Sequence, residues 1–242
     1  EHFMLKEIYE QPKAIRETIG TRLNNSKICF DELNFTKEYL ENINKIYIVA
    51  CGTAMHAGLV AKNMFEKLCQ IQTEVDIASE FRYRDPLIDE KTLTIFISQS
   101  GETADTIAAL KLAKSKGART IAISNVIGSS ITREADNTIY THAGPEIAVA
   151  STKAYTAQIT ILALIVLYCA EILARADTTK IEKLKQDLLK LPAKANKILK
   201  DVSAIKKFAK KVYKEKDMFF LGRGIDYTVS LEGSLKLKEI SY

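Results

Sequence analysis

Ser98-Gln99-Ser100-Gly101-Glu102-Thr103 combines three hydroxyls, one amide and a glycine in six residues. Ser98, Ser100 and Thr103 supply the hydroxyls, Gln99 the amide, and Gly101 a backbone free to turn tightly. An apolar run, Leu93-Thr94-Ile95-Phe96-Ile97, precedes the stretch, and a helix-like segment, Thr106 to Lys116, follows it. The stretch therefore stands where a buried strand ends and a helix begins. A helix start presents unpaired N–H groups and the positive end of the dipole. Together with the hydroxyls these make a cradle for an anion such as a phosphate. No lysine and no G-x-x-x-x-G-K-[ST] pattern is present, which excludes the usual nucleoside-triphosphate loop. A plain helix N-cap fits the same residues, with Ser100 or Thr103 capping and Glu102 favoured by the dipole. Both readings stay open on these residues alone.

Two other places carry candidate chemistry. Lys236 and Glu239 stand at i and i+3, where an ammonium can tune a carboxylate. Taken alone, such a pair is more often an ion pair on a helix surface. Cys51-Gly52-Thr53 follows a second apolar run and opens a second helix. Asp76 lies where a ribose-binding acid would stand, but G-x-G-x-x-G is absent, because Gly52 is followed by Thr53 and Ala54. A nicotinamide site is therefore not expected, and Cys51 reads as a small residue at a tight turn. Cys29, Cys51, Cys69 and Cys169 show no C-x-x-C spacing, and His2, His56 and His142 are scattered. Free thiols in a reducing cytosol are expected, with no disulfide frame, no metal and no cofactor.

These residues need elements to hold them. Lys45–Ala50, Thr73–Ala78, Leu93–Ile97, Arg119–Ser124 and Asn137–Thr141 read as strands. Helices are expected over 54–68, 104–116 (closed by Gly117), a short stretch before Glu134, and 151–173. The strands are continuous apolar runs and alternate with helices. That pattern predicts an α/β fold, a doubly wound parallel sheet covered on both faces. Ligands in such sheets bind beyond the carboxyl ends of the strands, where both Cys51–Thr53 and Ser98–Thr103 lie. Residues 3–23 read as one or two helices interrupted at Gln11-Pro12, and 24–44 as irregular or short helix. Asp217-Met218-Phe219-Phe220-Leu221 reads as a further strand, Gly222-Arg223-Gly224 as a turn, and Tyr227–Ile240 as a helix.

Composition sets the outer bounds. The 242 residues are 47% apolar and 27% charged, ordinary values for a globular protein with a real core. The most apolar run, Ala157 to Ala170, is broken by Gln158 and Thr160 and reads as too short for a membrane span. The acidic, amphipathic start, Glu1-His2-Phe3-Met4-Leu5-Lys6-Glu7, does not resemble a signal peptide. The net charge is +5, but residues 180–216 carry 13 lysines against four acids, a local +9 that leaves −4 elsewhere. Those lysines alternate with Ile181, Leu184, Leu188, Ile198, Val202, Ile205, Phe208 and Val212 at helical spacing. With no arginine among them, they read as solvated faces of amphipathic helices and not as a nucleic-acid surface.

Five motifs occur in order: Ala50-Cys51-Gly52-Thr53; Ala78-Ser79-Glu80-Phe81-Arg82-Tyr83-Arg84; Ser98 through Thr106; Val149-Ala150-Ser151-Thr152-Lys153-Ala154; and Leu231 through Tyr242. In this combination the chain closely resembles the isomerase half of the glutamine–fructose-6-phosphate aminotransferase family, which is built from two sugar isomerase (SIS) subdomains. The resemblance implies a flavodoxin-like first subdomain over 45–176. A helical lead-in over 1–44, connecting helices over 177–216 and the start of a second subdomain over 217–242 complete this division. It also implies that Ser98, Gln99, Ser100 and Thr103 hold a sugar 6-phosphate, that Thr53 contacts the sugar, and that Val149 and Ser151 line the same pocket. Lys236 and Glu239 match the family's catalytic lysine and glutamate, with Glu239 moving a proton between C1 and C2 of the sugar. The implied ligands are fructose 6-phosphate and glucosamine 6-phosphate, and the implied assembly is a cytoplasmic homodimer without nucleic acid or membrane. The family's glutaminase domain, its ring-opening histidine and its Schiff-base lysine are not matched here, so a binding-competent part of an enzyme is expected. SIS subdomains also serve as phosphosugar sensors in regulators; the lysine and glutamate favour the enzyme.

Overall fold

The computed structural model describes residues 2–241. In chain order the elements are α1 (Phe3–Ile19), β1 (Leu23–Asn24), β2 (Lys27–Ile28), α2 (Lys37–Asn42), β3 (Lys45–Ala50), α3 (Gly52–Leu68), β4 (Gln72–Ile77), α4 (Ala78–Tyr83) and β5 (Thr92–Ser98). Then follow α5 (Ala104–Ser115), β6 (Arg119–Ser124), α6 (Ser130–Glu134), β7 (Asn137–Tyr140), α7 (Lys153–Leu173), α8 (Thr178–Lys200), α9 (Ser203–Val212) and α10 (Ile225–Ser241). Five strands form one sheet in the order β4-β3-β5-β6-β7, and every pairing is parallel. This is the doubly wound sheet that the strand–helix alternation predicts, in the flavodoxin-like order that the family resemblance implies.

The apolar runs divide their side chains between two cores, because successive strand residues point to opposite faces. Ile46, Ile48, Leu93, Ile95, Ile97, Ile121 and Ile123 face α3 and α7, while Tyr47, Val49, Phe96 and Ala122 face α4 and α5. Branched residues crowd the first face and smaller or aromatic ones the second. Gly58 lets α3 approach the sheet: a Cβ there would stand 2.8 Å from Ile48 Cγ2 and 3.3 Å from Val75 Cγ1.

Four expectations need correction. The helix α1 is not interrupted at Gln11-Pro12. Proline removes the N–H that would serve the carbonyl of Ile8, and Gln11 Nε2 donates to that carbonyl instead at 3.0 Å. Residues 24–44 contain a two-residue hairpin, β1–β2, as well as α2. Asp217–Leu221 is not a strand and pairs with no strand among the described residues; Phe219 and Leu221 are largely exposed. Finally, α7 is 21 residues long and, by length and composition, apolar enough to cross a membrane. It is instead packed in the core, with Ile161, Leu164, Ile165 and Val166 fully buried. The lysine-bearing helices are amphipathic as predicted: α8 buries Ile181 and Leu188, whereas α9 buries none of its residues. Lys185 is the exception to solvated lysines, being buried against Glu171, Glu182 and the carbonyl of Ser26.

The α3–sheet contact makes a direct prediction. Gly58→Leu should lower stability by about 1–3 kcal/mol through overpacking, read as a lower urea midpoint with an unchanged slope. An unchanged midpoint would mean that α3 can lift off the sheet freely.

Candidate functional site

The sheet order places a switch point between β3 and β5. From β3 the chain leaves through α3 on one face; from β5 it leaves through α5 on the other. The two carboxyl ends therefore part and leave a crevice between them. Its volume is about 230 Å³, and its lining includes Cys51, Thr53, Ser98, Gln99, Ser100, Thr103, Ser151 and Gln158.

The loop after β5 is built by its own hydroxyls. Ser98 is buried; its Oγ accepts from the Gly101 N–H at 3.0 Å and lies 3.1 Å from Thr103 Oγ1. Ser100 Oγ accepts from the Glu102 N–H at 3.2 Å. Thr103 occupies the N-cap position of α5 but makes no side-chain cap, since its hydroxyl is turned to Ser98. The simple N-cap alternative thus holds for the position of Thr103 and fails for its side chain. Glu102 leans away: its Oε1 accepts from the Ser130 N–H at 2.8 Å, and hydrogen bonds from Ser130 hold its carboxyl below the usual range. Gly101 has φ +68°, and a Cβ on it would lie 2.0 Å from Ser129 Oγ. Only glycine fits there.

The other wall comes from the start of α3, with α10 packed behind it. Thr53 Oγ1 donates to Glu232 Oε1 at 3.0 Å and accepts from Lys236 Nζ at 2.9 Å. Lys236 also meets Glu239 Oε2 at 2.5 Å and Glu232 Oε1 at 3.4 Å. His56 Nδ1 lies 2.7 Å from Glu232 Oε2, and both residues are buried. Lys236 and Glu239 do not line the crevice themselves; they reach it through Thr53. Nearby, the Tyr155 hydroxyl is pushed up to about 12, by burial first and then by the Glu232 carboxylate.

Ser151 stands on a third wall. Its loop is held by Glu146, whose Oε2 accepts from Ser151 Oγ at 2.9 Å and whose Oε1 accepts from the N–H groups of Thr152 and Ala154. Glu7 of α1 accepts from the N–H groups of Ile147 and Ala148. Val149, expected to line the pocket, is 98% exposed and stands outside the crevice lining, because those anchors turn it outward from the loop. Sequence reasoning missed Glu232, His56 and Gln158. Glu232 was legible as part of an i, i+4, i+7 acid–lysine–acid face; His56 and Gln158 had no spacing signal. No group of three or more histidines, cysteines or carboxylates suited to a metal occurs among the described residues.

The SIS domain family model matches residues 39–168. The chain belongs to the SIS domain family. It is 60% identical, over all of its length, to a protein of Clostridium acetobutylicum named glutamine–fructose-6-phosphate aminotransferase (isomerizing) and to one of Clostridium tetani with the same name. It spans 40% of the length of each. Among solved structures, the C-terminal domain of glucosamine-fructose-6-phosphate aminotransferase from Francisella tularensis aligns with a TM-score of 0.94 and 42% identity, covering 100% of this chain and 68% of that one. Tagatose-6-phosphate ketose/aldose isomerase from Escherichia coli shares the fold at 19% identity, with a TM-score of 0.69 over 98% of this chain and 64% of that one. The alternation of strands and helices thus led to the right fold, and the ordered motifs to the right family.

The close approach at Gly101 is testable by itself. Gly101→Ala should lower stability by roughly 1–3 kcal/mol, because the residue must leave φ > 0 and Ser129 must move. Thermal unfolding at the wild-type temperature would mean that the loop relaxes without strain.

Proposed function

We propose that the crevice between β3 and β5 binds a hexose 6-phosphate, and that this chain is the sugar-phosphate-binding part of a glutamine–fructose-6-phosphate aminotransferase. The carrying observation is the uncapped start of α5 at the switch point. Gln99, Ser100 and Thr103 line the same crevice, and a phosphate there would supply the first-turn N–H groups with the acceptors that the Thr103 side chain does not. The sugar then extends toward Thr53 and Ser151. Lys236 holds the Glu239 carboxylate in an i, i+3 ion pair. In this reading Glu239 moves the proton between C1 and C2 in converting the ketose-derived imine to the amino aldose. The ligands are fructose 6-phosphate and glucosamine 6-phosphate, and the setting is cytoplasmic amino-sugar synthesis.

Calorimetric titration separates this reading from a merely structural loop. Glucosamine 6-phosphate should bind and unphosphorylated glucosamine should not. Ser100→Ala should weaken the phosphosugar about tenfold, the loss of one hydrogen bond to a charged acceptor, with little change in stability. Equal binding of both sugars would remove the phosphate cradle.

A homodimer belongs to the same reading. Ile205 and Phe208 on α9, with Phe219, Leu221 and Ile225 after it, leave apolar side chains exposed. Surfaces of that kind are commonly covered by a partner. Light scattering should give twice the chain mass at micromolar concentration; a monomer at high micromolar concentration would contradict the pairing.

A further inference from the structure

Gln158 is the one nine-tenths-buried side-chain amide in the crevice lining. It interrupts the apolar sequence of α7, is 3% exposed, and lines the crevice together with Thr53, Ser98 and Ser151. Its Oε1 has no hydrogen-bond partner among the described residues. Three other polar side chains of the lining are already committed: Ser98 to Gly101 and Thr103, Thr53 to Glu232 and Lys236, Ser151 to Glu146. Two more unpartnered buried hydroxyls, Thr152 Oγ1 and Tyr155 Oη, lie six and three residues earlier, toward the same end of α7. A buried polar atom without a partner is costly, and native proteins keep few of them without a use.

An amide can donate and accept, and a half-turn of its last bond exchanges the two. A phosphate dianion only accepts. A sugar hydroxyl does both, so it is the group an amide of this kind suits. We propose that Gln158 is a specificity-determining residue whose amide reads a hydroxyl of the bound sugar, so that it governs recognition of the sugar and not of the phosphate. The proposal rests on the crevice being a hexose 6-phosphate site.

The test is titration of wild type, Gln158→Leu and Gln158→Met with glucosamine 6-phosphate and, by competition, with methyl phosphate, a monoester without hydroxyls. Both replacements keep roughly the volume of glutamine and remove the amide, and neither should lower the unfolding temperature. The expected result is a loss of about tenfold for glucosamine 6-phosphate with methyl phosphate changed by less than about twofold. Ser100→Ala, by contrast, should weaken both probes. Wild-type affinity for the phosphosugar in either folded variant would overturn the role of Gln158 and leave the phosphate cradle intact. Equal weakening of both probes would overturn it too, as a general disturbance of the crevice. Failure of wild type to bind either probe would instead remove the crevice reading, and this proposal with it.

Discussion

Everything at the site follows from the parting of two chain paths at neighbouring strand ends. The strands β3 and β5 pair residue for residue from Lys45–Thr92 to Ala50–Ile97, so their carboxyl ends finish level. After that α3 turns to one face and α5 to the other. Two helix starts, with their unpaired N–H groups, are thereby held side by side by two almost wholly buried central strands. Neither loop needs to be stiff by itself, because the strands and the two cores beneath them fix its base. The Ser98–Gly101–Thr103 bonds then settle the path of one loop, and the contact of Gly101 with Ser129 and Ser124 ties it to the end of β6.

The second constraint is electrostatic. The buried residues of α10 are Thr228 and Glu232, so this helix is not held to α3 by a large apolar face. Its anchoring runs through Glu232 to His56 and Thr53, and through Lys236 to Thr53. Buried charge of this kind contributes little net stability, since desolvation offsets the attraction. Its value lies in direction: hydrogen bonds with fixed partners set the register of α10, where apolar contact would tolerate sliding. The carboxylate–ammonium pair at Glu239 and Lys236 is thus positioned by the same contacts that dock the helix. Stability and site geometry are coupled here more tightly than at the β5 loop, whose base the sheet holds and whose path its own hydroxyls set.

Much of this was legible in the sequence, and for identifiable reasons. Continuous apolar runs such as Ile46–Ala50 and Leu93–Ile97 signal strands buried on both sides, and their alternation with helices dictates the parallel sheet. Gly101 beside hydroxyls marked the turn. What failed depended on long-range partners. Asp217–Leu221 has the composition of a strand, yet a strand exists only where a neighbour accepts its hydrogen bonds. Pro12 reads as a break, yet the neighbouring Gln11 amide satisfies the carbonyl it frees. Val149 sits within a motif but stands exposed in a loop held both by nearby Glu146 and by Glu7 of α1, 140 residues from Ile147. His56 and Glu232, 176 residues apart, could not be paired from spacing at all.

The helix α7 shows how one element can meet two opposed demands. Its carboxyl-terminal part, from Ile161 to Leu173, is almost entirely apolar and fills the space between α1 and α3. Its beginning carries Thr152, Tyr155 and Gln158, each with a buried atom lacking a partner. Were the helix selected for packing alone, such atoms would be replaced by apolar groups of the same shape at little or no cost. They are absent from the packed end and gathered at the end beside the crevice, near Glu232 for Tyr155 and in the lining itself for Gln158. A local conflict with the rules of core packing, confined to the part of a helix that meets a cavity, is what a protein carries where a ligand completes its hydrogen bonds.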